Sequence, residues 1–507
     1  MGDSPEISTD ETVETTIVWF RNDLRLADNP ALLAASRAAK YVIPLFIFDE
    51  TSDGIRPLGG AARWWLHHAL TDLSANLQDQ YSAKLVLRRG PAFDVLSDVV
   101  KEVGASAVHW NRRYGPAEQA VDSQIKRSLT QSGVAATSHQ GALLHEPAKV
   151  LTGNNGPYRV YTPFWKNLSA GPEPRAPLPR PQALPSPPGA VASDELESWK
   201  LLPTKPDWAG GLRESWTVGE DAAHQRADDF MQTALFDYGN ARDVPSIDGT
   251  SAMSPYLRWG HISPYQLWDK CRRAARGREN SSTETYRKEL VWREFSYHLL
   301  YHFPTIGTAN HQQKFNHFPW RDSRENADEL RAWEKGRTGY PIVDAGMRQL
   351  YHTGWMHNRV RMIVGSLLVK HLLFDWKEGE AWFWDTLVDA DPASNSAGWQ
   401  WIGGSGADAA PYFRVFNPIT QGEKFDPDGH YVRKWVPELS QLPNKVIHQP
   451  WTASLVQLRE AAVKLGDTYP RPIVEHKFGR ERALDAFATL KNIVDDAAPK
   501  QTKPAKA

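Results

Sequence analysis

The chain has 507 residues, which corresponds to about three average domains or to two large ones. Its composition is 41% hydrophobic and 23% charged with a single cysteine, which excludes disordered and fibrous proteins, disulfide frameworks, and four-cysteine zinc or iron–sulfur sites. The net charge of −1 excludes nucleic-acid binding through overall basicity, so any such site must be a local patch.

The first fifteen residues are acidic and polar, and we expect residues 1–15 to form a disordered tail rather than a signal peptide. The longest apolar runs, such as Val42–Phe48 and Ile363–Val369, are too short to cross a bilayer. The lone Cys271 is typical of a reducing compartment. We therefore predict a cytoplasmic protein without a membrane segment and without a metal site.

Residues 16–145 alternate between short apolar runs and amphipathic stretches. Asn29 and Pro30 are typical of a helix start, with Asn as the cap and Pro in the first turn. Strands separated by helices predict a doubly wound parallel sheet that is covered on both faces. The first strand is not followed by G-x-G-x-x-G, so the dinucleotide-binding fingerprint is absent. The predicted strands are Thr16–Phe20, Val42–Phe48, Lys84–Leu87 and Ala107–Trp110.

A proline-rich segment separates this α/β domain from the rest of the chain. Residues 171–190 contain eight prolines, a composition that can continue neither a helix nor a sheet. We therefore place an interdomain connector at residues 146–196.

Apolar residues recur at helical spacing almost throughout residues 197–495, and we expect residues 496–507 to form a second tail. Ser263 and Gln266 form a capping box with Pro264 in the first turn. We predict a larger all-α C-terminal domain whose helices include Glu289–Tyr301, Gly346–His352, Asn358–Leu373 and Gly379–Val388.

Three segments of the helical domain, residues 287–295, 354–362 and 389–401, concentrate Trp, Arg, Asn and acidic residues. Glu289 and Trp292 lie three residues apart and hence on one helical face, where a carboxylate and a flat ring could bind a base by its edge and its face. For an isolated pair, a surface acid above a core tryptophan is the more frequent arrangement. The 21 tryptophans of the chain likewise fit an aromatic core.

These segments, together with residues 338–344 (TGYPIVD) and 416–425 (FNPITQGEKF), resemble the photolyase/cryptochrome family. The resemblance extends from residues 18–21 (VWFR) to residues 472–476 (PIVEH), nearly the whole chain. Three segments are most similar in sequence to the bacterial class III photolyases of cyclobutane pyrimidine dimers (CPDs): residues 110–116 (WNRRYGP), 143–147 (LLHEP) and 156–165 (GPYRVYTPFW).

The resemblance implies a blue-light enzyme with non-covalent FAD in the helical domain and UV-damaged DNA as its partner, acting as a monomer. Reduced FAD would donate one electron to a flipped-out CPD, whose cyclobutane bonds then split. A dimer that stacks and pairs poorly costs less to extrude than a normal base. The alternative within the family is a cryptochrome-type light sensor without repair activity. The few residues after 475–495 favour the enzyme over the sensor, and a flavoprotein without photochemistry is a third possibility.

By resemblance, Glu289 would hydrogen-bond the carbonyl and imide edge of the dimer and would stabilise its radical anion if protonated. Trp292 and Trp401 would form apolar walls for its bases. The residues expected to line the lesion pocket or to hold flanking phosphates are Asn358, Arg359, Met362 and Gln421.

The flavin phosphates would lie against small hydroxyls and backbone N–H groups. Asp389 and Asp391 would lie near the flavin ring and ribose, and Arg361 would pair with Asp389. The residues that match the family's flavin site are Tyr238, Thr250, Ser251, Ala252, Met253, Ser254, Tyr286, Arg361, Asp389, Asp391 and Asn395.

Asn395 matches the position that faces flavin N5, where photolyases carry Asn and plant-type cryptochromes carry Asp. An amide is not a useful proton donor, so Asn favours an anionic reduced flavin and hence repair. The (6-4) photolyases carry two histidines where this chain has Asn358 and Met362, because their chemistry needs a general acid. The resemblance therefore implies CPDs as the lesion.

Photoreduction of FAD in this family uses a tryptophan chain, and Trp399 and Trp376 match its first two members. The usual third position is Ser323 here, which leaves Trp320, Trp333 and Trp355 as alternatives. Core packing is the competing interpretation for each of them.

A second, light-harvesting chromophore is expected in the N-terminal domain, and class III relatives use 5,10-methenyltetrahydrofolate. Glu118 lies near an acid of some folate-binding members, and Asp49 and Glu50 follow the end of a predicted strand where a ligand could dock. Folate, a deazaflavin and an empty site all remain open at this point.

Overall fold

The computed structural model describes residues 13–408 and 413–492. Its N-terminal part contains a five-stranded parallel sheet with the strand order β3-β2-β1-β4-β5. The first four strands overlap the predicted ones. The bounds are β1 Val13–Phe20, β2 Ala39–Phe48, β3 Val86–Arg89, β4 Ala107–Asn111 and β5 Ala135–His139.

Two differences from the prediction concern the ends of this domain. β1 begins at Val13, inside the predicted tail 1–15, and pairs there with β2; residues 1–12 lie outside the described residues. β5 was not predicted, because the edge strand AATSH is small and polar and lacks an apolar run.

Helices cover both faces of the sheet, as the doubly wound prediction requires. Alternate residues of β1 enter opposite cores: Val18 and Phe20 pack with the first two helices, whereas Ile17 and Trp19 pack with the third and fourth. Asn29 caps the first helix by accepting from the backbone N of Leu32 at 3.1 Å. These helices are α1 Pro30–Ala38, α2 Gly60–Tyr81, α3 Ala92–Val103 and α4 Pro116–Gln131.

The predicted connector 146–196 is extended over most of its length but contains one helix, α5 (Tyr161–Ser169). Its later part lies along the sheet: the Val42 N–H donates to Pro185 O at 2.9 Å, and the Asp194 N–H donates to Leu87 O at 2.8 Å. The connector therefore returns to the α/β domain before the helical domain begins.

The remainder of the described chain is helical, which confirms the predicted all-α domain. The capping box at Ser263 is present with both of its hydrogen bonds. A π-helical turn, Leu367–His371, ends the predicted helix Asn358–Leu373 early. The helices are α6 Gly210–Ser215, α7 Glu220–Thr233, α8 Tyr238–Ala241, α9 Ser254–Trp259, α10 Pro264–Ala275, α11 Ser281–His302, α12 Ala327–Glu334, α13 Pro341–Thr353, α14 Asn358–Ser366, α15 Trp376–Thr386, α16 Pro392–Gly403, α17 Pro418–Phe425, α18 His430–Trp435, α19 Asn444–Ile447, α20 Leu455–Glu460 and α21 His476–Ala488.

One buried apolar cluster joins the two domains. It contains Phe46 of the sheet and Trp65 of α2 together with Trp259 of α9, Leu290 of α11 and Val388 before α16. The predicted tail 496–507 lies outside the described residues. Within the part of the chain that the structure describes, no helix is long and apolar enough to cross a membrane.

Candidate active site

The predicted lesion residues Glu289 and Trp292 lie one turn apart on α11. The Glu289 carboxylate accepts from Arg242 Nη1 at 2.5 Å, an ion pair that the sequence did not predict. The Trp292 ring stacks on Tyr161 of α5 with ring centroids 3.6 Å apart and planes 6° apart. One face of Trp292 is therefore covered by Tyr161, and a base could use only its other surfaces.

Trp401, the second predicted wall, is connected to the first one through two residues. Its indole Nε1 donates to the backbone oxygen of Asp408 at 3.1 Å. The Asp408 carboxylate accepts from the Tyr161 backbone N at 3.3 Å. Tyr161 and Asp408 thus link the two tryptophans, and neither was predicted, because each is informative only in three dimensions.

The residues predicted to line the lesion pocket or to hold flanking phosphates begin at the N-terminus of α14. Asn358 is exposed, and the Arg359 guanidinium binds Asp243 at 2.8 Å and lies over the Phe425 ring at 4.4 Å. Met362 is half-buried, with its sulfur 3.7 Å from Arg359 Nη1. Gln421 lies one turn before Phe425 on α17. Because Asp243 follows Arg242 directly, the two ion pairs bring α14 close to Glu289.

The predicted flavin-phosphate segment, residues 250–254, directly precedes α9. Ala252 has a φ of +46°, a left-handed conformation that is rare for a residue with a side chain. Ser251 O accepts from Arg226 Nε at 3.1 Å, and Ser254 Oγ accepts from Trp355 Nε1 at 3.2 Å. Arg226 is a cation at this segment that the sequence did not single out, and Trp355 lies here rather than beside Trp376 or Trp399.

Two buried aromatic residues of the predicted flavin site pack on each other behind this segment. The rings of Tyr238 and Tyr286 meet edge to face, with centroids 5.5 Å apart. Burial raises the pKa of both hydroxyls far above the usual value.

The predicted ion pair between Arg361 and Asp389 is present at 2.8 Å. The other oxygen of Asp389, Oδ1, is buried and has no partner among the described residues. An unsatisfied buried acceptor is costly, so this atom fits a ligand that carries an N–H or O–H donor.

Asp391 is the N-cap of α16. Its Oδ1 accepts from the backbone N of Ala393 at 3.0 Å and of Ser394 at 2.7 Å. The hydroxyl of Tyr297 donates to Oδ2 at 2.6 Å. The helix start and Tyr297 therefore already engage both oxygens, and the flavin contact of Asp391 stays a prediction.

Asn395 lies one turn into α16 and is 9% exposed. Its amide Nδ2 donates to the backbone oxygen of Glu380 at 3.0 Å and to the Glu380 carboxylate at 2.8 Å. Glu380 of α15 was not predicted, because the sequence gives no sign that it lies beside Asn395.

Trp399 is buried in an aromatic cluster with Phe383 and Trp333, whose centroids lie 4.9 and 6.1 Å away. A side chain at Gly379 would collide with the Trp399 ring, so this ring lies directly on α15, the helix that begins at Trp376. Trp333 is fully buried and cannot be a donor at the protein surface.

At the usual third position, the Ser323 hydroxyl donates to Glu378 at 2.7 Å. Trp320, three residues earlier, packs on Phe318 with centroids 4.3 Å apart. Trp376 donates its indole N–H to Asn310 at 2.9 Å. The identity of the surface donor stays a prediction.

The three acids predicted for the second chromophore lie in different places. Asp49 accepts from the backbone N of Thr51 and Ala92, and Glu50 binds Arg63 at 2.7 Å, so both carboxylates serve local structure. Glu118 instead lines a cleft between the two domains. The charged residues of this cleft are Arg21, Asp23, Arg112, Arg113, Glu118, Arg258 and Arg293.

This cleft has an excess of positive charge and an unpartnered donor. The Arg258 side chain is 7% exposed, its Nε donates to Ala390 O at 2.6 Å, and its Nη1 is buried without a partner among the described residues. Tyr297, which donates to Asp391, also lines the cleft. The cleft therefore suits an anionic ligand and lies next to the start of α16.

The structure joins a parallel α/β domain to a helical domain that carries the residues predicted for the flavin site. The model for the FAD-binding domain of DNA photolyase matches residues 286–489, and the model for DNA photolyase matches residues 16–183. The chain belongs to the photolyase/cryptochrome family.

Individual relatives support this assignment. A deoxyribodipyrimidine photo-lyase of Agrobacterium fabrum is 52% identical over 94% of this chain and 98% of its own length. Cryptochrome-2 of Arabidopsis thaliana is 36% identical over 96% of this chain and 81% of its own length. A bacterial class III photolyase structure from Agrobacterium tumefaciens is 51% identical to this chain. It superposes with a TM-score of 0.91, and the match covers 96% of this chain and all of that chain.

Proposed function

We propose that the chain is a light-driven DNA photolyase that splits cyclobutane pyrimidine dimers. The observation that carries this proposal is the pairing of Glu289 with Trp292 on α11, connected through Tyr161 and Asp408 to Trp401. Flat apolar rings bind the faces of bases, and a carboxylate binds a donor on their edges. The relationship to a deoxyribodipyrimidine photo-lyase is also closer than the relationship to a plant cryptochrome.

The flavin-site residues fit FAD in charge and in hydrogen-bonding capacity. Arg226 and the left-handed Ala252 at residues 250–254 suit a phosphate anion, and the unpartnered Asp389 Oδ1 suits an N–H or hydroxyl donor. When bound in reduced form, FAD supplies the electron that splitting of the dimer requires. The protein supplies the position of both partners and the exclusion of water.

Arg242 holds the Glu289 carboxylate in place through an ion pair. Glu289 would hydrogen-bond the edge of the dimer from this position. Asn358 and Arg359, which project from the start of α14, would hold the DNA backbone beside the flipped dimer.

Illumination of the reduced protein with an oligonucleotide that contains one CPD tests the function, through the recovery of base absorbance. Glu289→Ala should keep its flavin and lose most of the repair yield, whereas Glu284→Ala, an exposed residue of the same helix, should repair like the wild type. Flavin photoreduction without any repair would contradict the proposal and would identify a cryptochrome-type light sensor.

For the antenna, we propose a methenyltetrahydrofolate bound in the interdomain cleft. The arginines of the cleft complement the carboxylates of a folate tail. The absorption spectrum of the purified protein and of its released chromophore identifies the ligand. Arg258→Ala should reduce its occupancy, and a phosphate-bearing deazaflavin in the extract would contradict the folate assignment.

We further expect a cytoplasmic monomer that acts on UV-damaged DNA at the nucleoid. Light scattering on the purified protein, alone and with a CPD-containing duplex, measures the stoichiometry directly. A dimer in both samples would contradict this expectation.

A further inference from the structure

The segment between β2 and α2 docks on the C-terminal end of α15. Trp384 donates its indole N–H to Pro57 O at 2.8 Å, and the Gly60 backbone N donates to Asp385 Oδ1 at 2.8 Å. A side chain at Gly59 would collide with the Trp384 backbone, so the two segments approach as closely as a glycine allows. This docking fixes residues 57–60 of the α/β domain against the helical domain.

Arg56, at the start of this docked segment, reaches into the helical domain. Its guanidinium lies 4.2 Å from the Trp384 ring centroid, and its Nη1 lies 2.8 and 3.0 Å from the two oxygens of Glu380. The Glu380 side chain is only 6% exposed, whereas Arg56 is 43% exposed. Arg56 is the partner of Glu380 among the ion pairs of the described residues. Arg56 therefore holds the Glu380 carboxylate in place by contacting both of its oxygens.

Glu380 determines how the Asn395 amide is oriented. Both hydrogens of Nδ2 are donated to Glu380, one to its backbone oxygen and one to its carboxylate. The reverse orientation would place Oδ1 against two acceptor oxygens. Oδ1 accepts no hydrogen bond from the residues that the structure describes, and it remains available to a ligand.

We propose that Arg56 is a positioning residue of the flavin site, which acts from the α/β domain through Glu380 to present the carbonyl oxygen of Asn395 to the flavin. This inference rests on the proposed function, because it requires FAD beside Asn395. Reduced flavin carries a hydrogen at N5 and oxidised flavin does not, so an acceptor at this position favours the reduced form. Without Arg56, the Glu380 carboxylate is no longer held in place, and the Asn395 amide loses one of the two fixed acceptors that orient it.

The midpoint potential and the rate of oxidation in the dark test this inference in the flavin-loaded protein. Arg56→Gln should bind FAD in the wild-type ratio, with about a tenfold lower preference for the reduced form, which corresponds to about 30 mV for a two-electron couple. Oxidation in the dark should accelerate by a similar factor. Arg56→Lys, which keeps the charge, should restore most of both quantities. Arg213→Gln, at an exposed ion pair with Asp207, is the matched control.

Unchanged potential and dark oxidation in a folded Arg56→Gln protein would overturn the inference, and so would an equal shift in Arg213→Gln. If Arg56→Gln fails to fold, Glu380→Gln provides the second test. It removes the negative charge that Arg56 contacts, and an unchanged potential in this variant would also overturn the inference. The proposed function is judged separately, because potentials require only flavin uptake, whereas repair requires a dimer. A wild-type protein that takes up flavin but repairs nothing would refute only the proposed function and would leave the inference about Arg56 in place.

Discussion

Glu294 is a buried carboxyl whose titration should control the pH dependence of stability. It lies on α11, its side chain is 2% exposed, and its Oε2 accepts from the His145 backbone N at 3.0 Å. Its Oε1 has no partner among the described residues, and Arg293 Nη1 lies 3.9 Å away. Burial, only partly offset by Arg293 and the backbone N–H groups, raises the pKa of Glu294 from 4.5 to about 7.

The sign of the effect follows from this raised pKa. The folded protein binds the Glu294 proton more tightly than the unfolded chain, so the contribution to stability is full below the unfolded pKa. It is lost as the pH rises through about 7. A shift from 4.5 to about 7 corresponds to about 3 kcal/mol at 1.36 kcal/mol per pKa unit. The side chain that replaces Glu294 in the Glu294→Gln variant cannot ionise. The free energy of unfolding of this variant minus that of the wild type should therefore rise by about this amount as the pH is raised from about 4 to about 9.

Urea unfolding of both proteins across this pH range, followed by tryptophan fluorescence, measures the difference. Glu284→Gln, on the same helix but exposed, should follow the wild-type pH dependence. Parallel curves for Glu294→Gln and the wild type would refute the reasoning, because they would mean that Glu294 titrates normally in the folded state.

Three further predictions concern the site. Asp389→Asn leaves Arg361 without its counter-ion and should weaken FAD binding about tenfold, measured by flavin fluorescence titration; an unchanged affinity would exclude Asp389 from the site. Trp333→Phe removes the edge contact with Trp399 and should slow photoreduction of oxidised flavin under blue light; an unchanged rate would assign Trp333 to core packing. Tyr161→Ala removes the ring stacked on Trp292 and should weaken binding of CPD-containing DNA by about 1 kcal/mol, about fivefold, in an anisotropy titration; equal loss for undamaged DNA would contradict a role at the lesion.

The sequence predicted those parts of the fold that depend on local patterns. The Asn29 cap and the Ser263 capping box form as predicted, because each needs only residues within one turn. β5 escaped prediction because its polar edge residues have no apolar period, and the π-helical turn at Leu367–His371 gave no local signal.

In the site, too, the sequence predicted some contacts and could not predict others. The ion pair of Arg361 with Asp389 could be predicted, because the motifs that carry both residues are long and specific. Glu380 and Arg56 could not, because they lie 324 residues apart and meet only where the docked segment crosses α15. Asp49 and Glu50 were placed correctly at a strand end, but their carboxylates bind nearby backbone and Arg63.

The apolar cluster that runs from the sheet to α9 and α11 couples the stability of the two halves of the molecule. Either half made alone would leave Trp65 or Trp259 facing water, so a truncated product should aggregate rather than work as a module. The same cluster fixes where the interdomain cleft lies relative to the start of α16, so a substitution in the cluster should also change the shape of the cleft.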